Sequence, residues 1–332
     1  MESVNISVII PIYNGKKFLE KCVRSLFEQT ITTNIEFIFV NDCTQDESIV
    51  LLEKLMKAYS ERKLLSKIIH HKQNEGVAAA RNTGINNALG KYLFFIDQDD
   101  YLDKDALWIF YSEAEKENAD IVYSNYLYQY RYHSHIRKNK KIVDKQNYLI
   151  ELFESNISIE LWPRLYKKEL FDSHNLHFFE NTSGADDLAI VPILFYYAIR
   201  IKHIDFAPYH YVRYNWKAVT QQKMGQSRVE AIVCAINHLE NFFKKKETIY
   251  LQALKRTKFH MRIYCITYTR GELQRASCSL FPEIETEPAT IKEKLICFLS
   301  EKKALTLLNF IFNTKKVYIR LMEYMFFCRK QR

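Results

Sequence analysis

Apolar runs at residues 6–10, 37–40, 68–70, 92–96 and 121–124 alternate with stretches whose apolar residues recur at helical spacing, and this alternation restricts the fold more than any other feature. A strand that is apolar at nearly every position needs cover on both faces. Strands joined through helices run parallel, so the first 125 residues are expected to form a mostly parallel α/β sheet flanked by helices. The helix after Gly15 carries Phe18, Leu19, Cys22, Val23, Leu26 and Phe27 on one face. Thr44 and Glu47 have the spacing of a capping box ahead of Ile49, Val50, Leu52, Leu55 and Met56. A helix over 77–89 is expected to stop at Gly90, and another over 106–117 to be capped by Asp103. Residues 127–141 are basic and Tyr-rich and read as an exposed loop or hairpin. Beyond Gln226 the spacing is helical to the end apart from the acidic stretch 282–288, which places a boundary near residue 220.

In a parallel sheet, ligands bind past the carboxyl ends of the strands. The polar residues of this chain gather there: Pro11, Tyr13 and Asn14 after the first strand, Asn41 and Asp42 after the second, Asn74 and Gly76 after the third, and Asp97, Gln98, Asp99 and Asp100 after the fourth. Three carboxylates within four residues repel one another and need compensation. A divalent cation of the Mg²⁺ or Mn²⁺ kind is the simplest candidate, because such ions keep positions open for substrate phosphates. The alternative is a turn whose acids cap the next helix, a task for which Asp103 alone suffices.

Composition narrows the field further. The chain of 332 residues is 48% hydrophobic with only 7 Gly and 6 Pro, which argues for packed structure nearly throughout. Seven scattered cysteines with no closely spaced pair exclude a zinc motif and read as free thiols in a reducing compartment. No signal peptide is expected before the strand at 6–10, and no apolar run has the ~18 residues of a spanning helix. A cytoplasmic protein, possible as an oligomer, is the expectation. The net charge of +9 is concentrated at residues 302–332, where eight Lys or Arg face the single acid Glu323. Interleaved aromatics such as Phe310, Tyr318 and Phe326 suit a helix lying on an anionic membrane surface; an ordinary solvated helix face is the other reading. No nucleic-acid-binding signature accompanies the charge.

The ordered set Ile6-Ser7-Val8-Ile9-Ile10-Pro11-Ile12-Tyr13-Asn14, Val40-Asn41-Asp42, Asn74-Glu75-Gly76 with Ala80-Arg81-Asn82, and Ile96-Asp97-Gln98-Asp99-Asp100 resembles the family 2 glycosyltransferases of GT-A fold over residues 5–215. The resemblance implies a GT-A catalytic domain at 1–220, with a nucleotide-sugar half (1–125) and an acceptor half (126–220), followed by a helical C-terminal region (221–332). It implies a UDP-sugar donor with Tyr13 stacked on uracil, Asp42 accepting its N–H, and Asn74 and Arg81 on base or diphosphate; Pro11, Asn14 and Gln98 complete that pocket. Asp99 is implied as the direct Mn²⁺ or Mg²⁺ ligand, with Asp97 toward ribose or a metal-bound water and Asp100 as an alternative ligand. The segment Ser183-Gly184-Ala185-Asp186-Asp187 is similar to the family's Gly-Glu-Asp and implies Asp186 as general base; Ala185 replaces the usual Glu, which leaves Asp187 open for part of its role in acceptor binding. Trp162-Pro163-Arg164-Leu165-Tyr166 and Tyr209-His210-Tyr211-Val212-Arg213 resemble the acceptor-side and basic segments. Trp162 could face a sugar ring or sit in the core, and His210 is weighed as a phosphate contact against a structural histidine. The His70–His71 pair is given no catalytic role. The implied activity is inverting transfer of a hexose or N-acetylhexosamine to a glycan or lipid-linked glycan of lipopolysaccharide or capsule type, peripheral at the inner membrane face. A catalytically silent sugar-nucleotide or glycan-binding module is the alternative.

Overall fold

In this computed structural model, residues 3–311 are described apart from 33, 64, 143, 144, 183, 217, 219, 221, 283–289, 302 and 303. The elements follow as β1 (Ile6–Ile12), α1 (Lys16–Phe27), β2 (Ile35–Asn41), α2 (Ser48–Ala58), the single turn α3 (Ser60–Lys63), β3 (Ser66–His70), α4 (Val77–Asn86), β4 (Tyr92–Phe95), β5 (Tyr101–Leu102), α5 (Ala106–Glu117) and β6 (Ile121–Ser124). Then come β7 (Tyr126–Gln129), β8 (Ser134–Arg137), α6 (Lys145–Phe153), β9 (Arg164–Lys167), α7 (Glu169–His174), α8 (Asp186–Tyr197), β10 (Ile201–Ile204), β11 (Tyr209–Val212), α9 (Gln226–Phe243), α10 (Thr248–Tyr268), α11 (Gly271–Ser277) and α12 (Ile291–Glu301).

Seven strands form the main sheet in the order β10-β6-β9-β4-β1-β2-β3, all neighbours parallel except β9, which runs antiparallel to both β4 and β6. β1 lies at the centre, and its alternate residues feed two cores. Val8 and Ile10 belong to one core with Leu19, Leu52 and Phe110 of α1, α2 and α5, whereas Ile9 belongs to the other, which takes in Ala80 of α4 and extends to α8 and α9 residues such as Val191 and Ile236. Edge strand β3 is only half-buried, which explains its weak apolar signal. A second sheet, β5-β11-β7-β8, includes the hairpin at 126–137 and sits beside the acidic turn after β4.

Three local expectations are corrected. Thr44 and Glu47 make no capping box; Asp46 does the work, accepting Ser48 N–H at 3.0 Å and Lys16 N–H at 3.0 Å and so tying the starts of α2 and α1 together. Gly90 does not close α4, which ends at Asn86; a Cβ there would lie 2.5 Å from Ser7 N, so a close approach to β1 requires the glycine. Asp103 offers α5 its backbone carbonyl, while its carboxylate accepts from or pairs with His210 Nε2 at 2.8 Å; Gln29 Oε1 takes Leu107 N–H instead. The basic tail expected at the membrane lies outside the described residues from 312 onward. No helix among the described residues is long and apolar enough to cross a membrane.

Candidate active site

The loop after β1 is clamped to the turn after β4. Gln98 accepts Tyr13 N–H at 3.0 Å and donates to Tyr13 O at 2.6 Å, which leaves the Tyr13 ring exposed at the sheet edge. Gly15 makes room for this clamp, since a Cβ would come within 2.0 Å of Gln98 Oε1. Gln98 is therefore a frame for the pocket. Asn14, in the left-handed region at φ 49°, donates its N–H to Thr44 Oγ1 (2.7 Å) and accepts from Gln45 N (3.0 Å), and Pro11 sits in β1 opposite Val40. Both shape the loop.

Asp42 follows β2 directly and is 3% exposed. Its Oδ1 accepts Glu75 N–H at 2.8 Å and its Oδ2 accepts Gly76 N–H at 2.9 Å, while the exposed Asn74 donates to its backbone carbonyl at 3.3 Å. Gly76 adopts φ 89°, a conformation that favours glycine. Tyr13, Asp42 and Asn74 are thus carried by adjoining strand ends.

Arg81 does not reach out of α4 as a surface cation. It is 4% exposed and its guanidinium gathers three carboxylates: Nη1 donates to Asp186 and, at 3.1 Å, to Asp187, and Nη2 donates to Asp97 at 3.0 Å. Burial opposes its charge, but Asp186, Asp187 and Asp97 more than offset this and raise its pKa. Its Nε is buried with no partner among the described residues. One cation thus joins the turn after β4 to the start of α8. Gly184, at φ 85°, turns the chain into α8 and donates its N–H to Asp186 Oδ1 at 3.1 Å; Ser183 lies outside the described residues. The two α8 acids differ. The Asp186 side chain is 6% exposed and that of Asp187 22%, with Asp187 Oδ2 accepting Leu161 N–H at 2.9 Å. Burial and then the neighbouring Asp186 charge outweigh Arg81 and push the Asp187 carboxyl up to about 7.

The acids after β4 split in function. Asp100 is 1% exposed, with Oδ2 accepting from the Tyr209 hydroxyl (2.6 Å) and Oδ1 from Val212 N (2.8 Å), so it pins β11 to the turn and is turned away from any open site. Its expected role as an alternative metal ligand is corrected accordingly. Asp99 is half-buried, accepts from Asn215 Nδ2 at 2.7 Å, and is raised to about 6 by burial and by the Asp97 charge.

Asp97, Asp99, Asp186 and Asp187 outnumber Arg81, and burial first, then the neighbouring carboxylates, holds the Asp99 and Asp187 carboxyls above the usual range. No group of three or more His, Cys, Asp or Glu that could hold an ion exists among the described residues. Asp97 and Asp99 stand together at the end of β4 and could offer one or two carboxylates to Mg²⁺ or Mn²⁺, ions that keep positions open for phosphate oxygens.

Four further residues take their place from contacts between elements. His71 touches Asp42 with one ring nitrogen and α4 with the other. His210 stacks on Tyr101 (4.2 Å between centroids, 14°) and bonds Asp103, which makes it structural. Trp162 is 4% exposed, stacked on Tyr209 at 4.6 Å and 4° with Tyr211 also at 4.6 Å, so its ring braces β11 and offers no free face to a sugar. Asn215 carried no motif at all.

A mostly parallel sheet whose strand ends collect an exposed tyrosine, a buried aspartate and an acid pair beside an arginine-linked helix start is the GT-A arrangement of a glycosyltransferase. The family model "Glycosyl transferase family 2" matches residues 7–183, and the chain belongs to that family. It is 34% identical over 226 residues to the uncharacterized glycosyltransferase EpsJ of Bacillus subtilis, covering 65% of this chain and 63% of EpsJ. It is 28% identical to the poly(ribitol-phosphate) beta-glucosyltransferase of Bacillus spizizenii, covering 55% of this chain and 28% of that one. The chain thus spans less than two thirds of these relatives. In three dimensions it resembles S. aureus TarS 1–349, solved in complex with UDP-GlcNAc, with a TM-score of 0.64, 18% identity, and 94% of this chain and 91% of that one covered.

Proposed function

We propose that the protein moves a hexose or N-acetylhexosamine from a UDP-sugar to a hydroxyl of a cell-surface glycan or lipid-linked glycan, with inversion and with a divalent ion. The observation that carries this reading is the Arg81 cluster, which ties an acid of the donor end, Asp97, to two acids at the start of α8. Tyr13 supplies an open ring for the base and Asp42 an acceptor for its N–H. Asp99, with Asp97 beside it, would hold Mn²⁺ or Mg²⁺, which supplies charge neutralisation on the departing diphosphate. Arg81 orients Asp97, Asp186 and Asp187 against one another.

The acceptor oxygen bonds to the anomeric carbon as the bond from that carbon to the UDP oxygen breaks, and the acceptor proton passes to a carboxylate. The expectation placed that base at Asp186, whose oxygens are sealed against Arg81 and Gly184 N–H. Asp187 is the more open of the two and has a carboxyl near neutrality, the range that suits a base. We therefore assign Asp187 as the proton acceptor and Asp186 as the residue that positions Arg81.

A screen of sugar nucleotides for thermal stabilisation, with and without Mn²⁺, tests the donor reading. A UDP-sugar at a hundred times its Kd is expected to stabilise the protein by about 2.7 kcal/mol. Asp99→Asn is expected to remove the Mn²⁺-dependent part of that gain. Because a proton occupies Asp99 below about 6, the ion must displace it there, so the Mn²⁺-dependent gain should grow as pH rises through that value. Stabilisation by no sugar nucleotide, or equal stabilisation without the ion, would sink this reading. The basic aromatic tail suits an anionic bilayer at the inner face of the membrane. Removing residues 312–332 should release the protein from anionic vesicles, and undiminished binding would exclude the tail as anchor.

A further inference from the structure

The nucleotide end of the site contains one buried ionisable ring that the proposed chemistry does not use. His71 stands one residue past β3, with its side chain only 7% exposed. Nδ1 lies 2.9 Å from Asp42 Oδ1 and Nε2 lies 2.9 Å from Thr83 Oγ1 on α4. Glu75 Oε2 is the other charged group facing Nδ1, at 3.6 Å. A carboxylate is an acceptor only, so the ring donates from Nδ1 to Asp42, while Nε2 makes a hydrogen bond with the Thr83 hydroxyl. The chain Thr83 to His71 to Asp42 fixes the aspartate from helix α4.

The consequence lies in what Asp42 has left to offer. Oδ1 is filled by two donors, the His71 ring and Glu75 N–H, whereas Oδ2 receives only Gly76 N–H among the described residues. The remaining lone pair is therefore on Oδ2, and the three donors to the carboxylate hold it in one orientation. A base that presents an N–H to that oxygen gains a charge-assisted bond. A base that presents a ring-nitrogen lone pair meets a carboxylate with a repelling dipole and an unpaired acceptor.

We propose that His71 is a positioning residue that sets the orientation of Asp42 and thereby selects uracil, whose N3 carries a proton, against cytosine, whose N3 carries a lone pair. The inference rests on the reading of Asp42 as the nucleobase contact and assigns the selection to a residue two steps from the ligand. His71→Asn keeps an amide N–H in place of Nδ1 and loses only the Thr83 contact; His71→Leu loses both.

The test is the affinity of the full chain for UDP and for CDP, each with Mn²⁺, by calorimetry, with melting temperatures recorded for every variant. The unaltered protein should bind UDP at least about tenfold more tightly than CDP, the scale of a hydrogen bond to a charged group. His71→Leu should weaken UDP by about tenfold and leave CDP almost unchanged, collapsing the ratio, while His71→Asn should keep most of it. A merely structural role for His71 predicts a lower melting temperature with both nucleotides weakened equally, and that result overturns the proposal. So does a UDP preference that survives His71→Leu, which leaves the Asp42 reading standing. Equal affinity of the unaltered protein for the two nucleotides, or binding of neither, would remove the Asp42 reading and this inference with it.

Discussion

Asp187→Asn is expected to lower sugar transfer by about 10²–10⁴-fold, the contribution of a positioned base, with the donor KM little altered. The amide retains an oxygen for Arg81, and loss of the acceptor for Leu161 N–H is offset by relief of repulsion with Asp186, so stability should change by no more than about 1 kcal/mol. The pH profile gives the same residue a second signature. Asp187 must be ionised to accept a proton, and its carboxyl is held at about 7, so the rate should rise with pH, about tenfold per unit, up to that value and then level off. The Asp187→Asn variant should lack this limb. Asp186→Asn should reduce transfer less and retain the limb; full activity in Asp187→Asn with loss in Asp186→Asn would return the base to Asp186.

Arg81→Met is expected to destabilise the fold by about 3–5 kcal/mol, because the cation that three buried or half-buried acids share is gone while the acids remain. The sign of its pH dependence follows from the same charges. Without Arg81 the carboxylates favour protonation, so the deficit should shrink as pH falls and widen toward neutrality. Arg81→Lys keeps the charge but not the fork that spans Asp97 and the α8 acids, and should recover only part of the loss. Denaturant unfolding of the three proteins at two pH values measures all of this. A loss below about 1 kcal/mol in Arg81→Met would mean that the cluster is not held as the structure shows it.

The parallel core was readable because β1, β2, β4 and β6 are apolar at nearly every position, the mark of a strand covered on both faces. β9 was not. Arg164-Leu165-Tyr166-Lys167 mixes charge with apolar residues, and its antiparallel place between β4 and β6 is set by long-range pairing that no local period records. The strand-end residues lie together after β1, β2, β3 and β4, but the separate partners of each were hidden. Asp97, Asp99 and Asp100 look alike in sequence; only the fold shows that Tyr209 and Val212 consume Asp100 while Arg81 takes Asp97. His71 was passed over because its partners, Asp42 and Thr83, lie 29 and 12 residues away. In the Asp186–Asp187 pair, adjacency in sequence concealed a difference in exposure, 6% against 22%, at the first turn of a helix. Capping followed the same pattern: Asp46 and Gln29 replaced Thr44 and Asp103 through contacts between elements.

The proposed function is an inverting, ion-dependent transfer, and the fate of the donor sugar tests it most directly. Incubating the protein with a UDP-sugar and an acceptor glycan, and following the anomeric signals by NMR with Mn²⁺ present and absent, should show UDP released only with the ion and a glycoside of inverted configuration. A UDP-sugar that binds but is never consumed by any acceptor, or a product that retains the donor's configuration, would contradict it.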